Sequence, residues 1–241
     1  MQITKMLVPE SKYNIKCPHE MTPEFIVIHN TANDASAMAE ISYMIGNNNK
    51  VSFHCAIDNT RIVQGVPFNR NTWNAGDGGN GNGNRKGISL EICYSKSGGD
   101  DFEEAEKLAA EYTAYLLKQY DWGIDKVKKH QDFANKYCPH RTLDLGWQRF
   151  LDMVSSYLED KPINDEKIES GSDEQVKTYQ NGSTTEVVYA DTACTKRIGS
   201  LDPRERCDCF GIFNDRAMVR YNVSGTSNYK IGFCKWLGGV K

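Results

Sequence analysis

The sequence predicts an α/β domain, with a mixed central sheet covered by helices, followed by a small all-β domain. Up to residue 158, apolar strand-like runs alternate with segments that repeat apolar residues at helical spacing. From residue 178 onward, the apolar runs are short and strand-like. Residues 159–177 hold seven acidic residues, three lysines and no aromatic residue, too little apolar surface to order a segment. We therefore expect domains at 1–158 and 178–241, joined by an acidic, flexible linker at 159–177.

Four apolar runs predict the strands of the first domain. They are FIVIH (25–29), VSFHCAID (51–58), TRIVQGV (60–66) and GISLEICY (87–94). The first has four consecutive apolar residues before His29, which is typical of a strand buried on both faces. The second and third are expected to pair as a hairpin, and the fourth carries Glu91 among apolar neighbours.

Three segments with helical periodicity predict the helices. They run from Asp34 to Ile45, from Asp101 to about Tyr120 and from Trp147 to Leu158. Asp34 is expected to cap the first of them. Between these elements, AGDGGNGNGNRKG (75–87) is too rich in glycine and asparagine to predict regular structure. It also lacks the GK[ST] ending of a phosphate-binding loop, so nucleotide binding is not expected.

Composition excludes several classes of protein. Hydrophobic residues make up 39% of the 241 residues, and the formal net charge is −3. No apolar run approaches the roughly 20 residues that span a bilayer, and the charge balance favours neither a nucleic-acid nor a membrane partner. The N-terminus lacks the basic and apolar regions of a signal peptide, so none is expected. The eight cysteines form no CxxC pair and are expected to be free thiols.

Two histidines and a cysteine are candidates for a metal site. KHQDFANKYCPHR (129–141) places His130 and Cys138 at the ends of a short loop, while His29 ends a buried strand. Catalytic zinc commonly takes three protein ligands and leaves a fourth position for water. A thiol nucleophile made of Cys138 and His130 is an alternative, and a structural turn is another. His140 follows a proline that restricts its reach, so we expect a structural hydrogen bond from it.

Two charged residues could serve such a centre. A buried, unpaired glutamate is costly, so Glu91 is expected either to face a polar site as a proton carrier or to pair with a neighbour such as Arg85. Lys136, two residues before Cys138, could stabilise charge on an oxygen near the metal. The alternative for Lys136 is a solvated loop lysine.

Five motifs, taken together, resemble a known enzyme family. They are IHNTA (28–32), SFHCAID (52–58), TWNAGDG (72–78), ISLEIC (88–93) and KHQDFANKYCPHR (129–141). In this order they resemble the N-acetylmuramoyl-L-alanine amidases of phage endolysins, a zinc amidase family that also includes peptidoglycan recognition proteins. The resemblance covers most of residues 1–158. It implies a peptidoglycan hydrolase that cleaves the amide between N-acetylmuramic acid and L-alanine in a Gram-positive cell wall.

The resemblance also implies roles for individual residues. Carried over residue by residue, the zinc ligands fall on His29, His130 and Cys138. The catalytic acid/base falls on Glu91, and the charge-stabilising lysine falls on Lys136. The implied cofactor is Zn²⁺. The enzyme is expected to be made in the host cytoplasm and to act on the bacterial cell wall after release.

Three positions leave the family pattern unsettled. Some relatives place a catalytic tyrosine where this chain has Phe53, which has no hydroxyl group. Relatives often have histidine where this chain has Asn74, so the resemblance implies no substrate contact for this position. His54 matches a frequent family histidine, but strand alternation directs it away from Phe53, and its role stays open.

The second domain carries a looser resemblance. Residues 178–241 look like the bacterial SH3-like wall-binding modules of endolysins. Nine basic and six acidic residues in this range would suit an anionic wall polymer. Four cysteines could form a metal site or a disulfide, although free thiols are expected: Cys194, Cys207, Cys209 and Cys234.

Three other functions remain open. A non-catalytic peptidoglycan receptor could share the fold, but Cys138, Glu91 and Lys136 argue against it. A cysteine hydrolase would leave His29 unexplained. A zinc peptidase would cut within the stem peptide or the cross-bridge. In this sequence, only the family resemblance favours an amidase over such a peptidase.

Overall fold

The chain divides into two compact units, Met1–Glu166 and Lys167–Lys241. A computed structural model describes residues 3–159, 177–189, 194, 197–213, 216–223 and 229–235. Apart from its two end residues, the predicted linker at 159–177 lies outside the described residues. Among the helices of the described residues, none is both long and apolar enough to cross a bilayer.

The first unit contains a six-stranded mixed sheet, as the sequence predicts. Its strands are β1 (Ile3–Lys5), β2 (Phe25–Asn30), β3 (Cys55–Ile57), β4 (Ile62–Gln64), β5 (Gly87–Ile92) and β6 (Val127–Lys129). They are ordered β1-β4-β3-β5-β2-β6 across the sheet. The β3–β4 hairpin is antiparallel, and the other pairs are parallel. The predicted hairpin therefore forms, although its strands are shorter than the apolar runs.

Within residues 3–159, six α-helices accompany this sheet. They are α1 (Tyr13–Lys16), α2 (Ala37–Gly46), α3 (Asn82–Lys86), α4 (Gly99–Gln119), α5 (His140–Leu145) and α6 (Trp147–Glu159). Apolar side chains of α4 and α6 pack on one sheet face, where Ile28 and Leu90 belong to the same buried cluster as Phe102 and Phe150. Because side chains alternate along a strand, the neighbouring residues His29 and Glu91 face the other side of the sheet.

Two local predictions were wrong. The N-cap of α2 is Ser36, whose hydroxyl accepts a hydrogen bond from the backbone N–H of Ala39 at 3.3 Å. Asp34 instead accepts hydrogen bonds from the backbone and hydroxyl of Ser97. The Gly- and Asn-rich segment contains the short helix α3, because the carboxylate of Asp77 accepts hydrogen bonds from two N–H groups in its first turn.

The second unit is all-β in its described part, also as predicted. Its strands are β7 (Lys177–Gln180), β8 (Glu186–Tyr189), β9 (Arg197–Leu201), β10 (Arg206–Phe213), β11 (Arg216–Asn222) and β12 (Tyr229–Lys235). They form an antiparallel sheet in the order β7-β10-β11-β12-β8-β9. Cys207, Cys209 and Cys234 are buried in its core. The SH3-like identity of this unit stays a prediction.

Candidate active site

Two polar side chains meet at the carboxyl ends of adjacent parallel strands. His29 on β2 is paired in register with Glu91 on β5, so both side chains emerge on one face of the sheet. Nδ1 of His29 lies 4.0 Å from Oε1 of Glu91, and the Glu91 side chain exposes 12% of its surface. The centre of the sheet therefore holds a buried imidazole beside a nearly buried carboxylate.

The segment after β6 brings the other two predicted ligands to this point. Donor atoms of His29, His130 and Cys138 all lie within 4.8 Å of one another, and all three residues are buried. Nδ1 of His130 faces Nδ1 of His29 at 3.0 Å. The sequence-predicted set is thus assembled from a strand end and the two ends of one loop.

The protonation states suit metal binding. Burial, together with the charges of His130 and Lys136, holds the pKa of His29 well below its usual range. Burial and Lys136 lower the pKa of His130 to about 4. Both imidazoles are therefore neutral at pH 7, which is the form that binds metal ions.

The three residues fit a zinc ion. Zinc favours nitrogen and sulfur donors, and two imidazoles with one thiol make a ligand set of that kind. The Nδ1 atoms of the two rings face each other at 3.0 Å and form a hydrogen bond, in which one nitrogen donates and the other accepts. With that proton removed, both Nδ1 lone pairs would be available to a cation in the same place. Nε2 of His29 is also buried without a hydrogen-bond partner.

The same geometry disfavours a cysteine nucleophile. Burial and the charge of Glu91 raise the pKa of Cys138 to about 11, so without a metal its thiol stays protonated at neutral pH. Nucleophilic cysteines instead sit where their pKa is lowered. One of the two ring nitrogens of His130, Nδ1, is already hydrogen-bonded to His29.

The loop that carries Cys138 is tied to the end of β2. Oδ1 of Asn30 accepts hydrogen bonds from the backbone N–H groups of Arg141 at 2.9 Å and Thr142 at 3.2 Å. The Asn30 carboxamide therefore caps the first turn of α5. Asn30 directly follows His29 in the chain, and α5 directly follows the segment that carries Cys138. Nε2 of His140 forms a 3.2 Å hydrogen bond with the carbonyl oxygen of Ser95, which agrees with its predicted structural role.

A glycine allows the neighbouring loop to approach His130. Gly76 has a φ of +75°, and a Cβ there would lie 2.9 Å from Cβ of Ala134 and 3.1 Å from Nε2 of His130. Any larger residue would strain the backbone and press on the imidazole ring. Gly76 therefore leaves room for the His130 ring beside this loop.

Glu91 is held by a carboxamide instead of an ion pair with Arg85. Nδ2 of Asn74 donates to Oε1 of Glu91 at 3.1 Å, while Oε2 is buried without a partner. Within residues 3–159, Glu91 forms no ion pair with Arg85, the alternative that the sequence left open. Burial raises the pKa of Glu91 to about 7, although the hydrogen bond from Asn74 opposes this.

Lys136 lies at the exposed edge of the site. Its side chain is exposed, and its positive charge lowers the pKa values of Glu91, His29, His130 and Cys138. Lys136 therefore supplies a positive charge near the ligand cluster.

His54 stands apart from this chemistry. Its Nδ1 accepts a hydrogen bond from the backbone N–H of Ser89 at 2.9 Å, and its Nε2 lies 2.9 Å from the carbonyl oxygen of Arg70. Both ring nitrogens are therefore occupied, and the side chain is fully buried. Phe53 is also buried, at 7% exposure. His54 links two segments and has no nitrogen left for proton transfer.

The sequence does not predict that Asn74 contacts Glu91 in the site. The TWNAG motif marked its position, but which side chain its carboxamide contacts depends on how the loop folds over β5.

A family model described as N-acetylmuramoyl-L-alanine amidase matches residues 19–141. The chain belongs to the N-acetylmuramoyl-L-alanine amidase family. The matched range contains the three candidate metal ligands, Glu91, Lys136 and Asn74. The resemblance of the first domain to these amidases is therefore confirmed.

Relatives of known name agree with this assignment. The chain is 57% identical over 157 residues to the N-acetylmuramoyl-L-alanine amidase XlyB of Bacillus subtilis, which covers 65% of this chain and 50% of XlyB. It is 49% identical over 191 residues to the amidase CwlA of the same organism, which covers 79% of this chain and 70% of CwlA. The chain thus spans half the length of the first relative and about two thirds of the second.

Solved structures of the family have the same fold. PlyL is 52% identical with a TM-score of 0.62, and the match covers 64% of this chain and 97% of PlyL. The PlyG catalytic domain is 50% identical with a TM-score of 0.63, and the match covers 67% of this chain and 99% of that domain.

Proposed function

We propose that this chain hydrolyses the amide bond between the lactyl group of N-acetylmuramic acid and the L-alanine of the stem peptide, in the peptidoglycan of a Gram-positive wall. The observation that carries the proposal is the buried cluster of His29, His130 and Cys138 beside Glu91, in a chain of the amidase family. A metal-ligand set next to a carboxylate with a pKa near neutrality suits hydrolysis.

In this proposal, His29, His130 and Cys138 hold a zinc ion. Zinc in such a site activates water and polarises a carbonyl oxygen. The two imidazoles enter as neutral ligands, and Asn30 holds the segment after Cys138 against the end of β2. The side chains thus form a rigid site before substrate arrives.

Glu91 is the proposed proton carrier. Its carboxylate takes a proton from the attacking water and returns it to the amide nitrogen as the C–N bond breaks. Burial raises the pKa of this carboxyl towards neutrality, which suits a group that must both take up and release a proton. Oε2 has no hydrogen-bond partner, so it is free to exchange the proton.

Lys136 is the proposed charge stabiliser. An ammonium group near the carbonyl oxygen of the substrate opposes the negative charge that develops there. Its exposed position allows the side chain to close over a bound substrate.

We assign binding of the cell wall to the second unit. Residues 1–158 form the catalytic domain, 159–177 the linker, and 178–241 an SH3-like module that holds an anionic wall polymer. The support is the antiparallel sheet and the excess of basic over acidic residues in 178–241. The enzyme then reaches the bacterial wall after release from the host cytoplasm.

Digestion of purified peptidoglycan tests this function. The chain should release L-alanine amino termini and no new reducing sugars, and the release should stop in Cys138→Ser. New amino termini from other residues would identify a peptidase within the stem peptide or cross-bridge. Binding to the wall without any new ends would identify a non-catalytic receptor. Either result would overturn the proposal.

A further inference from the structure

The two carboxylate oxygens of Glu91 have different surroundings. Oε1 accepts a 3.1 Å hydrogen bond from Nδ2 of Asn74 and lies 4.0 Å from Nδ1 of His29. Oε2 is buried and has no partner. Because the last bond of a glutamate side chain rotates readily, this difference persists only if one oxygen is held.

Asn74 is itself fixed by its neighbours. Its Nδ2 also donates to Oγ of Ser89 at 2.6 Å, and its Oδ1 accepts from Oγ1 of Thr72 at 3.4 Å. A carboxamide has two N–H bonds, and here one goes to Ser89 and the other to Glu91. Ser89 and Glu91 are two residues apart on β5, so they share a face and one side chain can bridge them.

The orientation of the carboxamide follows from its contacts. The reverse orientation would set Oδ1 of Asn74 against an ionised Glu91, which repels it. The backbone on both sides is held as well, because the N–H of Trp73 donates to the carbonyl oxygen of Ser52 at 3.1 Å and the N–H of Ala75 donates to Oδ1 of Asn84 at 2.9 Å. The donor of Asn74 is therefore built rigidly into the site.

We propose that Asn74 is a positioning residue for the reaction. Its N–H pins Oε1 of Glu91, so Oε2 is the oxygen that exchanges the proton. In the hydrolysis proposed above, a water O–H gives its proton to Oε2 while the oxygen adds to the carbonyl carbon. Oε2 then returns the proton to the nitrogen as the C–N bond breaks and the amine leaves. This role rests on the proposed function of Glu91.

A neutral donor suits this position. It fixes the carboxylate without adding a charge beside the metal ligands. An aspartate of the same shape would lose the donor and place a like charge against Glu91. An alanine would leave Oε1 buried and unpaired, free to change places with Oε2. The two substitutions therefore separate hydrogen-bond donation from simple filling of space.

The test compares Asn74→Ala, Asn74→Asp and the control Asn71→Ala in the full chain. Asn71 is fully buried in the same segment but bonds to His19 and Thr72 and does not touch Glu91. Kinetics on a soluble muropeptide are measured together with metal content and thermal melting. Both Asn74 variants should lose roughly 10- to 100-fold in kcat, the loss seen when a side chain that orients a group at a metal site is removed, with KM and metal content unchanged. Asn71→Ala should melt earlier while keeping its kcat.

A double-variant cycle with Glu91→Gln completes the test. Because Asn74 acts through Glu91, adding Asn74→Ala to Glu91→Gln should lower kcat by no more than about twofold. Three results would each overturn the positioning role. The first is an equal loss of kcat from Asn74→Ala in the native chain and in Glu91→Gln. The others are an Asn74→Asp variant that keeps its kcat, and an Asn71→Ala variant that loses as much kcat as Asn74→Ala. An inactive Glu91→Gln with an unimpaired Asn74→Ala would overturn this inference and leave the proposed function standing. A fully active Glu91→Gln would overturn both the proton carrier and its positioning.

Discussion

Glu91 is the residue on which the proposed chemistry depends most. Glu91→Gln keeps the shape and removes the exchangeable proton, so kcat should fall by about 10² to 10⁴. Zinc content and folding should stay normal. Steady-state kinetics on a soluble muropeptide measure this effect.

A matched control for Glu91 lies on α4. Glu106 is also buried, but it pairs with Arg149 on α6, on the sheet face opposite Glu91. Glu106→Gln should lower the free energy of unfolding and leave kcat unchanged. A Glu91→Gln protein with near-normal turnover would mean that Glu91 has a structural role and that the proton carrier lies elsewhere.

His54 predicts a pH dependence of stability. Burial lowers its pKa to about 4 in the folded chain, against about 6.5 when unfolded. The folded state therefore favours the neutral ring. This contribution is complete above pH 6.5 and is lost as the pH falls towards 4, by up to about 3 kcal/mol.

His54→Gln isolates that contribution, because glutamine does not titrate. Urea unfolding at several pH values between 6.5 and 4 should give a shallower loss of stability in the variant than in the native chain. Comparing the two slopes cancels the effects of the other buried histidines. Identical slopes would show that the His54 ring does not resist protonation.

Single residues show where sequence reasoning reached its limit. His29 could be placed at the end of a buried strand because it ends an apolar run, and Glu91 could be placed within a buried strand because it interrupts one. The hydrogen bond from Asn74 to Glu91 could not be predicted, since the two residues are 17 positions apart in the sequence. The bonds of His54 to Ser89 and Arg70 likewise depend on tertiary folding.

At the scale of elements, two buried lysines secure the end of α2. Nζ of Lys12 donates to the carbonyl oxygen of Ile45 at 2.7 Å. Nζ of Lys16 donates to Oδ1 of Asn47 and to the carbonyl oxygens of Asn49 and Val51. These bonds fix the loop that leads into Ser52. The hydroxyl oxygen of Ser52 accepts a hydrogen bond from the backbone N–H of Trp73, which precedes Asn74 in the chain.

Lys16→Met should destabilise the fold. Burial lowers the pKa of Lys16 to about 8, a cost of roughly 3 kcal/mol at neutral pH. Three hydrogen bonds from a charged donor contribute roughly 1.5–3 kcal/mol each and outweigh that cost. We expect the free energy of unfolding to fall by about 2 kcal/mol or more in urea titrations. The exposed Lys5→Met serves as control, and an equally small effect for both variants would contradict this account.

The elements predicted well are those with an internal pattern. Apolar runs located β2 and β5, and helical periodicity located α4 and α6, because burial of their own side chains drives them. The helix α3 was not predicted, and the start of α2 was predicted too early, because side-chain contacts outside the apolar pattern decide both. α3 depends on Asp77, and Asp34 is engaged by Ser97, 63 positions away.

At the scale of the whole molecule, the two compact units suggest a division of labour. Residues 1–158 alone should keep amidase activity on soluble fragments, while lysis of whole cells should drop. A fluorescently tagged 178–241 fragment should decorate susceptible cells. If the fragment does not bind and the truncated chain lyses cells as fast as the full chain, the wall-binding role is wrong.

The central claim is that one buried centre, made of His29, His130 and Cys138, drives amide hydrolysis. The most direct measurement strips the full chain of metal, returns zinc in steps, and follows the release of L-alanine amino termini from peptidoglycan. Activity should be lost on stripping and rise with added zinc to a plateau at about one equivalent per chain, as expected for a single three-ligand site. Full activity in the stripped protein would contradict the claim and would return Cys138 to consideration as a nucleophile.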